Sequence, residues 1–306
     1  MNDMKCPLCL SNRFELLESI AGKDLRKLYA SMVDVNSLPL ELWEDCEYVL
    51  CKDCDLRFFY PAVCGDEKFY STLQKYPWYY QDEKNEFGVA AAHLKPGMAV
   101  LDVGAGKGVF KQYASGCEYT GLEFSEEAQK YASERGVLIE RKSIEEFSAD
   151  HPLSMDVVCS FQVLEHVSRP GSFLRSCVDA LKPGGKMVIS VPAFDGFTGN
   201  ALNAALNLPP HHVSRWSNRS LESVARIYGL KLISLEIEEI QPIHALNAAH
   251  VKFNQELRRG FGLPLACIDL SFAGKVIAKL AYLAVRLGFE PKRLNGGHSA
   301  IAVYEK

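Results

Sequence analysis

The sequence lacks the features that would place a chain in several specialised classes of protein. No stretch reaches the roughly 18 consecutive apolar residues that a membrane-spanning helix needs. The first residues contain no apolar core of a secretory signal, so we expect a cytoplasmic location. The net charge is −4, and a chain without an excess of Lys and Arg is not expected to bind nucleic acid in general.

The composition is otherwise ordinary for a globular protein, with 48% hydrophobic and 24% charged residues. The 306 residues are enough for one large domain with a smaller module, or for two domains. Ten cysteines are present. In a chain expected to be cytoplasmic, cysteines are thiols or metal ligands rather than disulfides.

Two C-x-x-C pairs, Cys6/Cys9 and Cys51/Cys54, lie near the start of the chain. Each pair resembles a knuckle, a tight turn that points two thiolates at one tetrahedral ion. Four sulfur ligands close the coordination of zinc, so we expect a structural Zn²⁺ in a small, zinc-ribbon-like module at residues 1–64. The alternative is four unpaired thiols in a small core. A redox pair is disfavoured because no thioredoxin-like pattern surrounds the cysteines.

Residues 65–97 form an aromatic-rich connector that ends in a predicted helix at 85–94. Aromatic side chains are usually buried, so we interpret the connector first as a hydrophobic seam that packs the small module onto the rest of the chain. The alternative is that Tyr79 or Tyr80, just ahead of the next motif, reaches the cofactor or substrate site.

From residue 98 onward, short apolar strands alternate with helical patterns. The predicted strands share a run of apolar residues and cover residues 98–103, 117–123, 137–140, 155–161 and 186–192. Ser125 is placed as the N-cap of a helix at 125–135, with acidic residues in the first turn. Repeated β-α units predict an α/β fold with a doubly wound parallel sheet, whose ligands bind at the carboxyl ends of the strands.

The first of these strands runs into a glycine turn at residues 100–108. The glycines alternate as Gly104, Gly106 and Gly108 after Asp102, whereas a dinucleotide fingerprint has the pattern G-x-G-x-x-G. An acid beside the turn disfavours a pyrophosphate, and hence a nicotinamide dehydrogenase. It suits a cofactor that carries an amino group and a cationic sulfonium. An acid 15 positions after Gly108, at the end of the next strand, can accept both hydroxyls of a ribose.

Four segments, residues 100–108, 121–123, 156–167 and 181–185, together resemble the class I S-adenosylmethionine-dependent methyltransferases. The resemblance implies a Rossmann-like, mostly parallel seven-stranded sheet with an antiparallel last strand, in a methyltransferase domain at residues 98–306. It also implies S-adenosyl-L-methionine as cofactor. The cofactor-binding residues that it implies are Asp102, Gly104, Gly106, Gly108, Glu123, Phe124, Ser143, Ile144, Phe161 and Gln162.

The resemblance assigns roles to several of these residues. Gly104 and Gly106 would flank the methionine part of the cofactor, Glu123 would hold the ribose, and Ile144 would pack near the adenine. Ser143 stands where many members have an adenine-binding Asp, so a weaker hydroxyl contact is expected there.

The segment 161–167 is also similar to that of the ubiquinone-biosynthesis O-methyltransferases, and Phe161 and Gln162 would line the methyl-transfer site. Those enzymes carry a Glu in place of Gln162, and the resemblance implies a metal beside it. An amide is a poorer ligand for a hard cation, so this metal is not expected here. His166 is a candidate catalytic residue. The alternative is that Glu165 and His166 make polar contacts at a helix start and support the cofactor loop.

The sequence of residues 209–217 is Pro-Pro-His-His-Val-Ser-Arg-Trp-Ser. His211 and His212 are candidate bases for a hydroxyl acceptor, and Arg215 and Trp216 offer an anion clamp and a ring face for substrate. Similar segments occur in methyltransferases assigned to glycan and small-molecule biosynthesis. The alternative is that one histidine caps the following helix and Trp216 lies in the core.

A helical insertion at about 241–295 separates the predicted sixth strand from the last one. Residues 263–289 are apolar and helix-rich, and Lys275, Lys279 and Arg286 recur near one helical face, so the segment is amphipathic. It is interpreted as a lid or a homodimer contact. The alternative is a peripheral membrane surface that gives access to lipid-linked substrates.

The sequence therefore predicts a cytoplasmic methyltransferase that moves the methyl group of S-adenosylmethionine to an oxygen of a small molecule or of a sugar or glycan. One alternative is a sugar C-methyltransferase, because a deoxysugar C-methyltransferase can also carry an N-terminal zinc module. Another is a catalytically inactive protein that binds the cofactor and contacts a partner through the zinc module.

Overall fold

The computed structural model describes residues 4–73, 75–76, 84–289, 291 and 296–306. Its strands, in chain order, are β1 (Phe14–Ile20), β2 (Cys46–Cys51), β3 (Arg57–Tyr60), β4 (Ala99–Val103), β5 (Glu118–Leu122), β6 (Ile139–Glu140), β7 (Met155–Phe161), β8 (Leu181–Pro192), β9 (Ser214–Arg215), β10 (Lys231–Ile237) and β11 (Ser299–Glu305). Its α-helices are α1 (Gly22–Tyr29), α2 (Glu67–Leu73), α3 (Asn85–Ala91), α4 (Glu126–Ser133), α5 (Ile144–Asp150), α6 (Pro170–Ala180), α7 (Asn218–Tyr228), α8 (Ala245–Gly260) and α9 (Phe272–Arg286).

Seven strands form the large sheet in the order β10-β11-β8-β7-β4-β5-β6. The strands from β4 to β8 pair in parallel, whereas β11 is antiparallel to both β8 and β10. This confirms the predicted doubly wound sheet with an antiparallel last strand. Because β4, β7 and β8 are parallel neighbours, Val103, Phe161 and Pro192 end at one edge of the sheet, where Ser299 pairs with Pro192.

Local signals in the sequence account for these elements. β7 is buried along almost its whole length, as expected for a central strand that is covered on both faces. α4 begins at Ser125, whose hydroxyl oxygen accepts a hydrogen bond from the amide of Ala128. α7 ends at Gly229, which adopts the left-handed conformation with φ of 69°.

The structure differs from the predicted elements at three places. The helix expected after the glycine turn is only a 3₁₀-helix, Val109–Gln112, because Gly116 with φ of 75° turns the chain toward β5. β8 begins at Leu181, earlier than predicted. α8 lies in the insertion, in a part that the sequence did not single out.

A second, four-stranded sheet has the order β1-β2-β3-β9. Its first three strands belong to the predicted cysteine module, whereas β9 comes from the segment that carries the two adjacent histidines. The amide of Phe59 donates to the carbonyl of Val213 at 3.0 Å, and Arg57 pairs with Arg215. The small sheet therefore crosses the predicted module boundary at residue 64.

α8 and α9 pack against each other, with His250 Nε2 donating to the carbonyl of Ala278 at 3.2 Å. α9 buries Gly274, Ile277 and Ala281. The exposed apolar side chains of α9 are Phe272, Val276, Leu280, Tyr282 and Leu283. Leu287 and Phe289, which follow the helix, are also exposed. In the part of the chain that the structure describes, no helix combines the length and the apolar character needed to cross a bilayer.

Candidate active site

The glycine turn lies at the carboxyl edge of the large sheet, directly after β4. Gly104 adopts φ of 77°, and a Cβ added to it would lie 2.3 Å from Cγ2 of Val163. Only glycine fits such a position, because it tolerates a left-handed conformation and has no side chain. The turn can thus approach a ligand closely with its backbone, and it packs against the segment that follows β7.

Asp102, at the end of β4, is a buried carboxylate with one uncommitted oxygen. Its side chain is 2% exposed, and Oδ2 accepts a hydrogen bond of 2.7 Å from the hydroxyl of Tyr119. Oδ1 has no hydrogen-bond partner among the described residues. Burial raises the pKa of Asp102 to about 7. A buried oxygen without a donor is costly, so this site favours a cationic or hydrogen-bonding ligand group.

Glu123, directly after β5, is held beside the turn by backbone amides. The amide of Gly106 donates to Oε2 at 3.0 Å, and the amide of Ser125 donates to Oε1 at 2.8 Å. Each carboxylate oxygen can accept more than one hydrogen bond. Glu123 is therefore fixed in place and still able to accept two further donors.

Three imidazoles meet at the same edge of the sheet. His166 follows β7, whereas His211 and His212 precede β9, and one nitrogen from each ring lies within 4.8 Å of the others. His166 Nδ1 donates to the carbonyl of His211 at 2.5 Å. His211 Nδ1 donates to the carbonyl of Leu206 at 2.9 Å. Burial lowers the pKa of His166 to about 4 and those of His211 and His212 well below the usual value, so the three rings are neutral near pH 7.

Glu165 lies beneath these rings and is 1% exposed. Its Oε1 is 3.8 Å from His166 Nε2 and 3.9 Å from His212 Nε2. Its Oε2 has no hydrogen-bond partner within the described ranges. Burial raises the pKa of Glu165 to about 8. The carbonyl of Glu165 also accepts a hydrogen bond of 2.9 Å from the amide of Val213, which joins the two histidine-bearing segments.

The four cysteines of the two C-x-x-C pairs converge in the small module. The Sγ atoms of Cys6 and Cys54 are 3.5 Å apart, as are those of Cys9 and Cys51, and all four lie within 4.8 Å of one another. Sulfur atoms bound to one tetrahedral zinc lie about 3.8 Å apart, so the cluster fits this ion with small adjustments. Hydrogen bonds from its neighbours lower the pKa of Cys51 and raise that of Cys54, as expected where crowded thiols share protons that a cation would replace.

Comparison with known proteins identifies the family. A family model described as a methyltransferase domain matches residues 75–235, which is just over half of the chain. The chain belongs to this methyltransferase family.

The methyltransferase is similar to named enzymes over about one third of its length. The ubiquinone biosynthesis O-methyltransferase of Sodalis glossinidius is 37% identical over 102 residues, covering 31% of this chain and 41% of that enzyme. The enzyme of the same name from Xanthomonas euvesicatoria is 36% identical over 102 residues, covering 31% and 43%. The methyltransferase thus matches less than half the length of these curated relatives.

A solved structure shares the fold of the methyltransferase. It is a SAM-dependent methyltransferase from Archaeoglobus fulgidus, which matches with a TM-score of 0.54 and 19% identity. The match covers 78% of this chain and 100% of that chain. This match confirms the predicted Rossmann-like sheet, while the membership of the methyltransferase family rests on the family model.

The polar groups around the glycine turn fit S-adenosylmethionine as cofactor. Oδ1 of Asp102 is a buried acceptor that matches an ammonium group, and a charged donor gains most from such an acceptor. The two oxygens of Glu123 match a pair of ribose hydroxyls. Asp102 could therefore meet the amino group, and Glu123 the ribose, of such a cofactor.

The other predicted cofactor residues surround the same edge. Ser143 is the N-cap of α5, and its hydroxyl is engaged in a capping box with Glu146. Ile144 is buried, and Phe161 packs its ring against Phe87 and Phe110 in the core. Gly108 caps the 3₁₀-helix after the turn, and Phe124 is 58% exposed.

Of the predicted substrate residues, one lines a small cavity, one lies in the core, and two lie outside the described residues. The guanidinium of Arg215 is buried and donates to the carbonyl of Asn207 at 2.9 and 3.1 Å, and Arg215 lines a small cavity together with His212. Trp216 is 0% exposed and donates to the hydroxyl of Ser214 at 3.0 Å, which favours the core role that the sequence left open. Tyr79 and Tyr80 lie outside the described residues.

Two buried carboxylates at this edge were missed by sequence reasoning. Oε1 of Glu86, on α3, accepts from Gln162 Nε2 at 3.5 Å and from the hydroxyl of Ser190 at 3.3 Å. Oε1 of Glu238 accepts from the amide of Ser299 at 3.0 Å. The only signal for Glu86 in the sequence is an acid on a helix face that is otherwise apolar.

Proposed function

We propose that this methyltransferase methylates a hydroxyl oxygen of a small molecule or sugar. The observation that carries the proposal is the neutral histidine cluster at the carboxyl edge of the sheet. His166 of that cluster lies three residues after Val163, against which Gly104 of the glycine turn packs. A hydroxyl must lose its proton as it is methylated, and a neutral imidazole can accept that proton. The names of the relatives, which are O-methyltransferases, support oxygen as the acceptor atom.

The cofactor supplies an activated methyl group on a sulfonium. Asp102 binds the amino group of the cofactor, and Glu123 orients the ribose. The protein then mainly aligns the acceptor with the methyl group, because transfer is a direct in-line displacement. In that displacement a C–O bond forms as the C–S bond breaks.

His166 is the proton acceptor in this proposal. Its Nδ1–H is committed to the carbonyl of His211, which leaves the lone pair on Nε2. Its side chain is 20% exposed, against 9% for His212, so it is the more accessible of the two rings. The acceptor proton passes to Nε2 of His166, while His211 and His212 hold that ring in position.

We propose that the four-cysteine cluster binds a structural Zn²⁺. The spacing of the four sulfur atoms and their burial support a closed site without an open catalytic position. The zinc would fix the turn at Cys54, and thereby β3 and its pairing with β9.

We also propose that α9 rests on an anionic lipid surface. Phe272 is 84% exposed, and Leu280, Leu283 and Leu287 continue its apolar stripe. The exposed side chains of Lys275, Lys279 and Arg286 lie on the neighbouring face of the same helix. A basic stripe beside an apolar stripe is typical of a helix in a membrane interface, and it would bring lipid-linked acceptors to the enzyme.

The experiment that tests oxygen methylation is an acceptor screen with the full chain and S-adenosylmethionine carrying a ¹³C-labelled methyl group. Release of S-adenosylhomocysteine with a labelled methyl ether as product supports the proposal. A label on carbon, or cofactor binding without turnover on any acceptor, contradicts it. The His166→Gln variant should lose about 10²–10⁴-fold in kcat with cofactor affinity unchanged. His151→Gln is the matched control, because the ring of His151 stacks on Phe147 outside the site.

A further inference from the structure

We propose that His166, His211 and His212 form a binding site for a divalent transition-metal ion such as Zn²⁺, separate from the four-cysteine cluster. One nitrogen from each ring lies within 4.8 Å of the other two. Nitrogen atoms bound at 2.0–2.1 Å to one tetrahedral ion lie about 3.4 Å apart, so modest rotation of the side chains closes the site around an ion.

The separations between the ring centres are slightly shorter than those of three imidazoles on one tetrahedral ion. A bound imidazole has its ring centre about 3.2 Å from the metal, so three such rings at tetrahedral angles have centres about 5.2 Å apart. The centres of His211 and His212 are 4.5 Å apart, those of His166 and His211 are 4.6 Å apart, and those of His166 and His212 are 4.8 Å apart. Small outward shifts of the rings, together with the rotation of their nitrogens toward one another, would therefore give the spacing that a tetrahedral ion requires.

The outer hydrogen bonds of two rings set the tautomer that a metal requires. A carbonyl oxygen only accepts, so His166 Nδ1 and His211 Nδ1 both carry a proton, which they donate to the carbonyls of His211 and Leu206. The lone pairs of both rings are then on Nε2. Metal-binding histidines usually donate their other ring N–H to a carbonyl or carboxylate, which fixes the ring and raises its basicity.

Glu165 adds an acidic group to the site. Its Oε1 lies within 3.9 Å of Nε2 in both His166 and His212. Its Oε2 is fully buried and, in the described part of the chain, has no hydrogen-bond donor. A cation bound between the rings would lie close to this carboxyl group and would favour its ionised form.

The donor set points to a borderline cation rather than to Mg²⁺. Imidazole suits Zn²⁺ and neighbouring transition metals, whereas Mg²⁺ prefers carboxylate, carbonyl and water oxygens. The proposed set does not include Gln162, whose Nε2 donates to the hydroxyl of Ser299 at 3.2 Å. The site thus rests on His166 and the two histidines of the 209–217 segment, and not on residue 162.

The chemical role of such an ion rests on the proposed oxygen methylation, although its binding does not. Three histidine ligands leave a coordination position open. An acceptor hydroxyl at that position would have its pKa lowered by the cation. With the ion bound, Nε2 of His166 would be a ligand and not a proton acceptor, so the hydroxyl proton would be released to solvent.

Metal titration of the full chain tests the proposal. The chelator-treated protein is titrated with Co²⁺, and bound metal is counted together with its absorption spectrum. We expect two equivalents: one with an intense thiolate-to-cobalt band, and one with only weak ligand-field bands typical of nitrogen and oxygen ligands. A wild-type protein that binds only the thiolate-bound equivalent would overturn the proposal, and this measurement needs no variant.

Two variants assign each equivalent to its site. His212→Gln should lose the equivalent without the thiolate band and retain the other, whereas Cys51→Ser should do the reverse. Glu165→Gln should weaken the histidine site about 10–100-fold. The control His151→Gln should bind both ions. A His212→Gln protein that is folded by circular dichroism and still binds both equivalents would contradict the site, whatever the acceptor screen shows.

Discussion

The amide of Phe59 in the cysteine module donates to the carbonyl of Val213 at 3.0 Å, one residue beyond the adjacent histidines. A second contact supports it, since the hydroxyl of Ser217 donates to Oδ2 of Asp55 at 2.5 Å, directly after the second C-x-x-C turn. Ser217 is also the N-cap of α7. The cysteine cluster and the histidine segment are thus joined by a short path through backbone and side chains.

This path predicts that loss of the zinc ligand Cys51 reaches the active site. Cys51→Ser should remove about one zinc per chain and lower the Tm by several degrees, since each kcal/mol lost lowers the Tm by about 2–4 °C in domains of roughly 150–250 residues. The kcat should also fall, because the histidine segment becomes less well ordered. Metal analysis measures the zinc content, calorimetry the Tm, and a turnover assay the kcat. Cys46→Ser, a buried cysteine outside the cluster, should keep its zinc. A zinc-free Cys51→Ser protein with unchanged Tm and kcat would contradict the path.

Asp102→Asn should weaken cofactor binding. The substitution removes the charge that the buried Oδ1 offers to the amino group, and a hydrogen bond to a charged group contributes about 1.5–3 kcal/mol, or about 10–100-fold in Kd. Isothermal titration calorimetry with S-adenosylmethionine measures the effect. Asp156→Asn, which loses a 2.8 Å ion pair with Lys182 at the other end of the sheet, is the control and should leave the Kd within about twofold. Equal affinities in Asp102→Asn and wild type would rule out this role.

The affinity for the cofactor should depend on pH through the same carboxyl group. Burial raises the pKa of Asp102 to about 7, and only the ionised form attracts an ammonium, so affinity should fall as the pH drops below about 7. Above about pH 8 the α-amino group of the cofactor loses its own proton, and affinity should fall again. Calorimetry from about pH 5.5 to about 9 measures the Kd as a function of pH, with the acidic limb of the profile below about pH 7 and the basic limb above about pH 8. The acidic limb should be absent in Asp102→Asn, and its persistence there would assign it to another group.

The stability of the cofactor-free protein should show the opposite trend over part of this range. The unfolded chain releases the Asp102 proton near the ordinary pKa of 3.8, whereas the folded protein holds it until about pH 7. The folded state therefore binds more protons between about pH 4 and 7, and the contribution of this group to the free energy of unfolding falls as the pH rises. Comparing urea unfolding of wild type and Asp102→Asn at pH 5 and 7 isolates that contribution. A difference between the two proteins that does not change with pH would contradict it.

Gly104→Ala should disrupt the turn. The new Cβ would meet Cγ2 of Val163 at 2.3 Å in a left-handed conformation, a strain of about 1–3 kcal/mol, so both Tm and cofactor affinity should fall. Gly88→Ala is the matched control, because nothing lies within 4 Å of its added Cβ on α3. That substitution should be neutral or stabilise the helix by up to about 1 kcal/mol. Equal effects of the two substitutions on cofactor affinity would show that the turn does not need a glycine.

The basic stripe of α9 should control binding to anionic vesicles. Lys275→Glu/Lys279→Glu should reduce co-sedimentation with phosphatidylserine-containing vesicles by tenfold or more, since each basic residue near such a surface contributes about 1 kcal/mol. Neutral phosphatidylcholine vesicles should bind weakly. The control Lys130→Glu/Arg135→Glu makes the same charge change on exposed residues in and after α4 and should bind as wild type does. Absence of vesicle binding, with a dimer that Phe272→Ser dissociates, would instead assign this face to a second copy of the chain.

Much of the large sheet could be predicted because parallel strands are continuous apolar runs. β7 has the predicted bounds, and the acids at the ends of β4 and β5 lie beside the glycine turn. The spacing of the two C-x-x-C pairs alone predicted that the four cysteines converge, because two such turns usually point their thiolates at one metal ion.

The rest depended on tertiary contacts that leave no pattern in the sequence. β9 is two residues long, too short for any periodicity, and only its pairing with β3 makes it a strand. Glu86 is one acid on a short helix, and its place beside Gln162 follows from how α3 packs on the sheet. The convergence of His166 with the two later histidines likewise depends on the hydrogen bond between Val213 and Glu165.

The two-residue strand β9 also limits how this protein can be divided or recombined. A fragment that starts after residue 64 would leave β9 without the sheet it completes. A fragment that ends there would leave β3 as an open edge, and unpaired edges invite aggregation. The small module therefore cannot be exchanged between related enzymes as an independent domain. A chimera should therefore carry residues 213–217 together with the cysteines, so that the pairing of β9 with β3 is kept.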